Sequence, residues 1–175
     1  MKKYIKILAT GIDVSMILKE VSVDPTHWEI DKRRQIVIPV HEHTETIHLI
    51  KEKLDPNSNN KDLRHTHLYE PAPVIKHYPE TLKIVKSFFP VGLSRTYLIK
   101  LKAGKRVLPH YDGGDYYEIR NRYHLAVTGS YEYTVGDETE YIVPGMLFWF
   151  DNQQMHSAFN NTEEDRISVV FDVER

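Results

Sequence analysis

At 175 residues the chain is long enough for one domain with a sizeable core and too short for two ordinary ones. Its 23 basic and 25 acidic side chains leave a net charge of −2, and the basic residues are scattered, so composition marks out no nucleic-acid or anionic-membrane surface. With no cysteine, disulfide frameworks, thiolate metal sites and thiol nucleophiles are all excluded, and imidazole and carboxylate remain as the side chains that can ligate a metal.

The amino terminus, Met1 to Leu8, starts basic like a signal peptide, but Lys6 interrupts its short apolar run and no small-residue cleavage site follows. It reads as a first strand. No stretch approaches the roughly twenty apolar residues of a membrane helix, so a soluble cytoplasmic protein is the expectation. From Asp13 to Glu20 the pattern predicts a helix, with Asp13 as its cap and Met16, Ile17 and Glu20 at helical spacing. A second helix is predicted from Pro79, with apolar Leu82, Val85, Phe88 and Phe89, stopping before Pro90. Between the two, Asp55 to Asp62 is a polar loop and the best place for disorder or a nick. The segments around His41-Glu42-His43 and His65-Thr66-His67 read as loops.

From Leu93 onward the texture changes to short strands punctuated by turn residues. Ser94 to Leu101 is closed by Ala103-Gly104-Lys105. Tyr123, Leu125 and Val127 then alternate with Arg122, His124, Ala126 and Thr128, which places Arg122 and His124 on one strand face that cannot be a dry apolar core. Tyr131 to Val135, a Gly136-Asp137-Glu138 turn, Tyr141 to Val143, a Pro144-Gly145 turn and the apolar run Met146 to Phe150 follow. The last two strands flank Asn160-Asn161-Thr162 and end at Val173. The expected fold is mainly β, a double-stranded β-helix or cupin-like jelly-roll, with residues 1–90 packing on and completing a catalytic core at 91–175 within one domain, 1–175.

His110-Tyr111-Asp112 and the distant His156 have the form of the two-imidazole, one-carboxylate set that holds iron(II) in oxygenases and leaves the opposite coordination face free. The tripeptide alone is weak, since His27-Trp28-Glu29 and His43-Thr44-Glu45 arise by chance in the same chain. The surroundings discriminate. His110 and His156 both fall at strand ends, where a jelly-roll opens. Folding the chain back about Asn161 is expected to set Arg166 opposite His156 on adjacent antiparallel strands, one side chain from the metal. Its planar fork suits the distal carboxylate of 2-oxoglutarate. The competing reading of Arg166 is a surface ion pair with Glu163, Glu164 or Asp165.

The order Leu101-Lys102-Ala103-Gly104, Pro109-His110-Tyr111-Asp112, Arg122-Tyr123-His124-Leu125, Pro144-Gly145, Phe150-Asp151-Asn152, His156 to Asn161 and Asp165-Arg166 to Val173 resembles the aspartyl/asparaginyl β-hydroxylase family. The resemblance covers about the last eighty residues. It implies a double-stranded β-helix, iron(II), 2-oxoglutarate and O2 as cofactors and co-substrates with ascorbate as a supporting reductant, and hydroxylation of an unactivated carbon. It also implies that Arg122 and His124, matching an Arg-x-His motif, help Arg166 hold 2-oxoglutarate. The animal enzymes that name the family lack the metal-binding carboxylate, whereas this sequence has Asp112. In that respect it is more similar to the related free-amino-acid hydroxylases, such as the L-proline cis-4-hydroxylases. A small-molecule substrate is therefore favoured, with a peptide side chain as the alternative. A cupin-like metal protein that is not an oxygenase is the competing class, and it would have no reason to carry Arg166. His41, His43, His65 and His67 read as surface or substrate-side histidines, and Trp28, Tyr97 and Trp149 as packing aromatics.

Overall fold

The computed structural model describes residues 3–59 and 62–175. Met1 and Lys2, within the first expected strand, and Asn60 and Lys61, within the polar loop, lie outside the described residues. The strands are β1 (Ile5–Ala9), β2 (Thr44–Glu52), β3 (Tyr69–Pro71), β4 (Leu93–Leu101), β5 (Arg106–His110), β6 (Arg120–Thr128), β7 (Tyr131–Val135), β8 (Glu138–Ile142), β9 (Leu147–Phe150), β10 (His156–Phe159) and β11 (Arg166–Glu174). The α-helices are α1 (Ser15–Val23), α2 (Arg33–Val37), α3 (Pro79–Phe88) and α4 (Asp115–Glu118). Short 3-10 turns link several of them.

The strands form a seven-stranded sheet of order β1-β9-β6-β11-β4-β2-β3 and a four-stranded sheet of order β5-β10-β7-β8. Their pairings are antiparallel. The two sheets face each other as a double-stranded β-helix. Strands from the first half of the chain complete the larger sheet, β1 against β9 and β2 against β4.

Period-two alternation creates two apolar layers from one sheet. On β6 and β11, Leu125, Val127, Val169 and Phe171 face outward, where they pack with Ile17 and Val21 of α1 and Val85 of α3. The opposite face meets the smaller sheet through Ala126, Phe148 and Phe150, packed against Tyr133, Val135 and Ala158. Arg122, His124, Arg166 and Asp172 share this inner face and are buried there.

Both expected helices form. Asp13 accepts a hydrogen bond from the Ser15 amide at 2.9 Å, but the helix begins one residue later than a cap at Asp13 predicts, with Val14 in the cap position. The α3 amino terminus is capped from α1: Glu20 accepts from the amides of Glu80 at 2.6 Å and Thr81 at 2.9 Å. That satisfies helix-end N–H groups with an anion where the helix dipole favours one, and it ties the two helices together. At the Pro144-Gly145 turn, Gly145 has φ +81°, and a Cβ there would lie 2.8 Å from the Ile12 carbonyl oxygen, so the turn requires glycine.

The structure departs from the sequence expectations in three respects. Two further short helices, α2 and α4, are too brief to show a helical period. The segment after His43 is not a loop but the interior strand β2, whose inward face carries Thr44 and Thr46 while Ile47 and Leu49 face the helices. Threonines on the buried face hide the alternation. Finally, β10 pairs with β5 and β7 while β11 pairs with β4 and β6, so His156 and Arg166 are not on adjacent strands. The turn between them carries the chain from one sheet to the other. No helix among the described residues is long and apolar enough to cross a membrane.

Candidate metal centre

His110 ends β5 and His156 begins β10, and the two are direct cross-strand partners with ring centroids 4.3 Å apart. Beyond His110, Tyr111 turns outward to solvent and Asp112 brings its carboxylate back beside His110 and His156. The Asp112 amide donates to the Asn152 carbonyl oxygen at 2.9 Å, fixing this segment against the loop after β9. One potential ligand atom from each of His110, Asp112 and His156 lies within 4.8 Å of the others. The group can hold a metal ion.

Their other polar atoms are already committed. His110 Nδ1 donates to the Leu108 carbonyl at 2.7 Å and His156 Nδ1 to the Gln154 carbonyl at 2.9 Å. Each bond fixes the tautomer that leaves Nε2 with its lone pair, the arrangement a histidine ligand needs. Asp112 Oδ2 accepts from Arg122 Nη1 at 2.8 Å and from the Asn152 side-chain amide at 3.3 Å, which leaves Oδ1 for a metal.

Burial lowers the pKa of His110, and lowers that of His156 to about 4, where neighbouring His110 adds to the effect and Asp112 opposes it. Both imidazoles are therefore neutral, ligand-ready bases at neutral pH. Burial opposes ionisation of Asp112, but Arg122, His156 and His110 outweigh it and the carboxyl pKa is lowered. Two imidazoles and a carboxylate with oxygen and nitrogen donors suit non-haem iron(II) and related first-row ions.

Arg122, His124 and Arg166 line one cavity with His110 and His156, in roles the sequence did not fully separate. Arg166 is buried across from the triad on the facing sheet; its Nε donates to Ser168 Oγ at 3.1 Å and its Nη2 to the Tyr131 hydroxyl at 3.3 Å, with the guanidinium 4.1 Å from the Tyr131 ring. Asp165, the acid beside it, bonds instead to the Ala103 amide and Lys102. Arg166 has no carboxylate partner among the described residues.

Arg122 differs. Its Nε and Nη2 grip Asp172 at 2.7 and 2.8 Å while Nη1 holds Asp112, so its fork is filled by two carboxylates rather than free for a ligand. His124 packs between Tyr133, Phe148 and Phe150, and its buried Nδ1 has no partner among the described residues.

Sequence reasoning missed Asp172 and Asn152 as supports of the carboxylate ligand, missed Arg34, and read His41 only as a surface or substrate-side histidine. His41 is buried, stands edge-on to the His110 ring at 4.9 Å and meets Arg34 Nη2 at 3.0 Å through Nε2. The pairs around it are not alike: His43 is exposed beside Glu42, His65 lies 3.1 Å from Asp115, and His67 meets Arg120. A buried His41 was the hardest to foresee, because its segment has no strand or helix periodicity.

The family described as Aspartyl/Asparaginyl beta-hydroxylase matches residues 48–175. The chain belongs to this family. The match contains the His110–Asp112–His156 group, Arg122, His124 and Arg166, and begins after α2, so Arg34 and His41 of this β-hydroxylase family member lie outside it. Nothing matches among curated proteins. Solved structures resembling it include a predicted oxalate decarboxylase from Thermotoga maritima, 14% identical, with 75% of this chain and 81% of that one covered at a TM-score of 0.43. Another is a Thermus thermophilus protein, 21% identical, covering 50% and 78% at 0.40. A third is a cupin 2 conserved barrel domain protein from Salinispora arenicola, 13% identical, covering 48% and 65% at 0.37.

Proposed function

We propose that this family member is an iron(II)- and 2-oxoglutarate-dependent dioxygenase that hydroxylates an unactivated carbon of a small, amino-acid-like substrate. The observation that carries the reading is Arg166: a buried guanidinium with no carboxylate partner among the described residues, in the cavity lined by His110 and His156, whose ligand atoms and that of Asp112 lie within 4.8 Å of one another. A buried unpaired cation is costly, and a dicarboxylate reaching from the metal to Arg166 relieves that cost. A cupin-like metal protein of another class has no use for this charge.

When bound, iron(II) and 2-oxoglutarate supply the oxidising power that places one atom of O2 into a C–H bond. The chain contributes the rest. His110, Asp112 and His156 would hold the metal, Arg122 and Asn152 would keep the Asp112 carboxylate in place for it, and Arg166, with Tyr131 and Ser168 beside it, would receive the distal carboxylate. Phe150, Ile99 and Val170 give the cavity apolar walls that exclude water. No side-chain general base is required.

Coupled turnover tests the proposal. Protein with iron(II), ascorbate, 2-oxoglutarate and O2 should form succinate faster with some free amino acid and add about 16 mass units to it, one oxygen atom. Stimulation by peptides alone moves the substrate to a peptide side chain. Absence of any 2-oxoglutarate consumption sinks the dioxygenase reading.

A further inference from the structure

Helix α2 is built the wrong way round for a packing helix. Ile36 and Val37 are 78% and 72% exposed, while Arg34 turns its side chain into the cavity. Arg34 is half-buried, and turning a guanidinium inward while aliphatic side chains face solvent is the costly arrangement, one that points to a ligand rather than to the core. Its contact among the described residues is His41 Nε2 at 3.0 Å; no carboxylate meets it. A guanidinium has five N–H donors, so most of its capacity is open. Burial, and then repulsion from Arg122, lower its pKa, as expected of a cation awaiting an anion.

The wall beside it is unfinished in the same sense. Thr44 of β2, opposite Leu101, lines the cavity, with Thr46 two residues on along the same strand face. Among the described residues the buried Nδ1 of His41, which also lines the cavity, has no hydrogen-bond partner. His41 thus offers an unpartnered polar group beside Arg34.

Three guanidiniums line the cavity, and their pairing separates them. Arg122 is neutralised by Asp112 and Asp172. Arg166 and Arg34 have no carboxylate among the described residues, and they lie on different elements, β11 and α2. His41 connects Arg34 to the metal group, standing between it and His110. Two open cations call for two carboxylates, and 2-oxoglutarate at Arg166 accounts for one.

We propose that Arg34, with His41, is the subsite for the carboxylate of the substrate, so that the substrate is a free amino acid with an unblocked carboxyl group. This rests on the dioxygenase reading for the assignment of Arg166 to 2-oxoglutarate. A residue inside a peptide, whose main-chain carboxyl is an amide, cannot form this charge-assisted pair.

The test is binding under anaerobic conditions to protein loaded with iron(II) and 2-oxoglutarate, using the twenty free L-amino acids and their carboxamides as probes in a calorimetric titration. At least one free acid should bind about tenfold or more tightly than its carboxamide, as the loss of a charge-assisted pair implies. Arg34→Gln should abolish that preference while its 2-oxoglutarate affinity stays within about twofold, and Arg34→Lys should keep part of the preference. The proposal is overturned if no free acid binds, if acid and carboxamide bind alike, or if Arg34→Gln loses affinity for 2-oxoglutarate instead. The acid-to-carboxamide comparison needs only the unmodified protein, so a variant that fails to fold does not remove the test. If the unmodified protein does not bind 2-oxoglutarate but still prefers acids through Arg34, the dioxygenase reading fails and the subsite stands.

Discussion

Arg122 donates from Nη1 to Asp112 Oδ2 at 2.8 Å, so the carboxylate of the metal group is aimed by a side chain four strands away in the sheet order from the edge that carries β3. The other edge of the same guanidinium is locked onto Asp172 on the neighbouring strand, which also accepts from the Tyr116 hydroxyl. A buried acid, a buried base and a candidate metal ligand thus form one chain of contacts across the inner face.

Breaking that chain should be felt in both stability and metal affinity. Arg122→Gln leaves Asp172 and Asp112 buried without their cation, a loss of about 3–5 kcal/mol for removal of one partner of a buried pair. Chemical denaturation should show that loss in the metal-free protein, and metal titration should show weaker binding. Stability unchanged within 1 kcal/mol, as for an exposed pair, would mean that solvent reaches the Arg122–Asp172 contact.

Substitution of Arg166 should separate the two ligands. Arg166→Ala removes no metal ligand, so metal binding stays nearly intact while the 2-oxoglutarate requirement rises by the equivalent of about 2–5 kcal/mol. Equal losses of metal and 2-oxoglutarate affinity would assign Arg166 to the fold instead of the co-substrate.

Metal should stabilise the native chain by linkage. Iron(II) under anaerobic conditions, or manganese(II) in its place, at about 100 times its dissociation constant adds about 2.7 kcal/mol to unfolding. His156→Ala should lose this increment, and a chelator should reverse it in the unmodified protein. A metal-induced shift that survives in His156→Ala would place the ion elsewhere.

The metal-free protein should weaken as pH falls below about 6.5. Burial holds the pKa of His124 well below its ordinary value and lowers that of His41, with nearby arginines adding to both. The native state keeps these rings neutral while the unfolded chain protonates them, so the unfolded chain binds more protons below that pH and is favoured there. The slope is about 1.4 kcal/mol per pH unit for each such histidine. Asp31, whose carboxyl is held at about 2 mainly by its hydrogen bond from Arg33, loses its contribution only below the ordinary carboxylate range, so the first loss of stability as pH falls comes from the histidines. Urea denaturation at pH 7.5, 6.0 and 5.0, roughly spanning the histidine range, checks the slope, and His124→Phe should flatten it. A flat profile in the unmodified protein would contradict neutral burial.

The sequence by itself determined what depends on local chemistry. The alternation of Arg122 and His124 with Tyr123 and Leu125 placed two polar side chains on one inner strand face, and the structure has both buried there. His110-Tyr111-Asp112 could be read as a two-ligand unit because an extended backbone returns every second side chain to one side, whatever sheet it joins. Pro79 and Pro90 bounded α3 because proline acts on its own backbone and its immediate neighbours.

Tertiary structure decided which of these side chains meet. Arg166 reaches the cavity from the sheet opposite His156, not from a neighbouring strand, because the turn through Asn161 switches sheets, and a turn sequence does not record which sheet its ends enter. Whether Arg122 is free or filled depends on Asp172, fifty residues later in the chain and one strand across. Arg34 and His41 became part of the site only when α2 and the turn after it folded against β2 and β5. A guanidinium looks the same in sequence whether it points to water or into a cavity; the difference is the burial and pairing that distant strands impose.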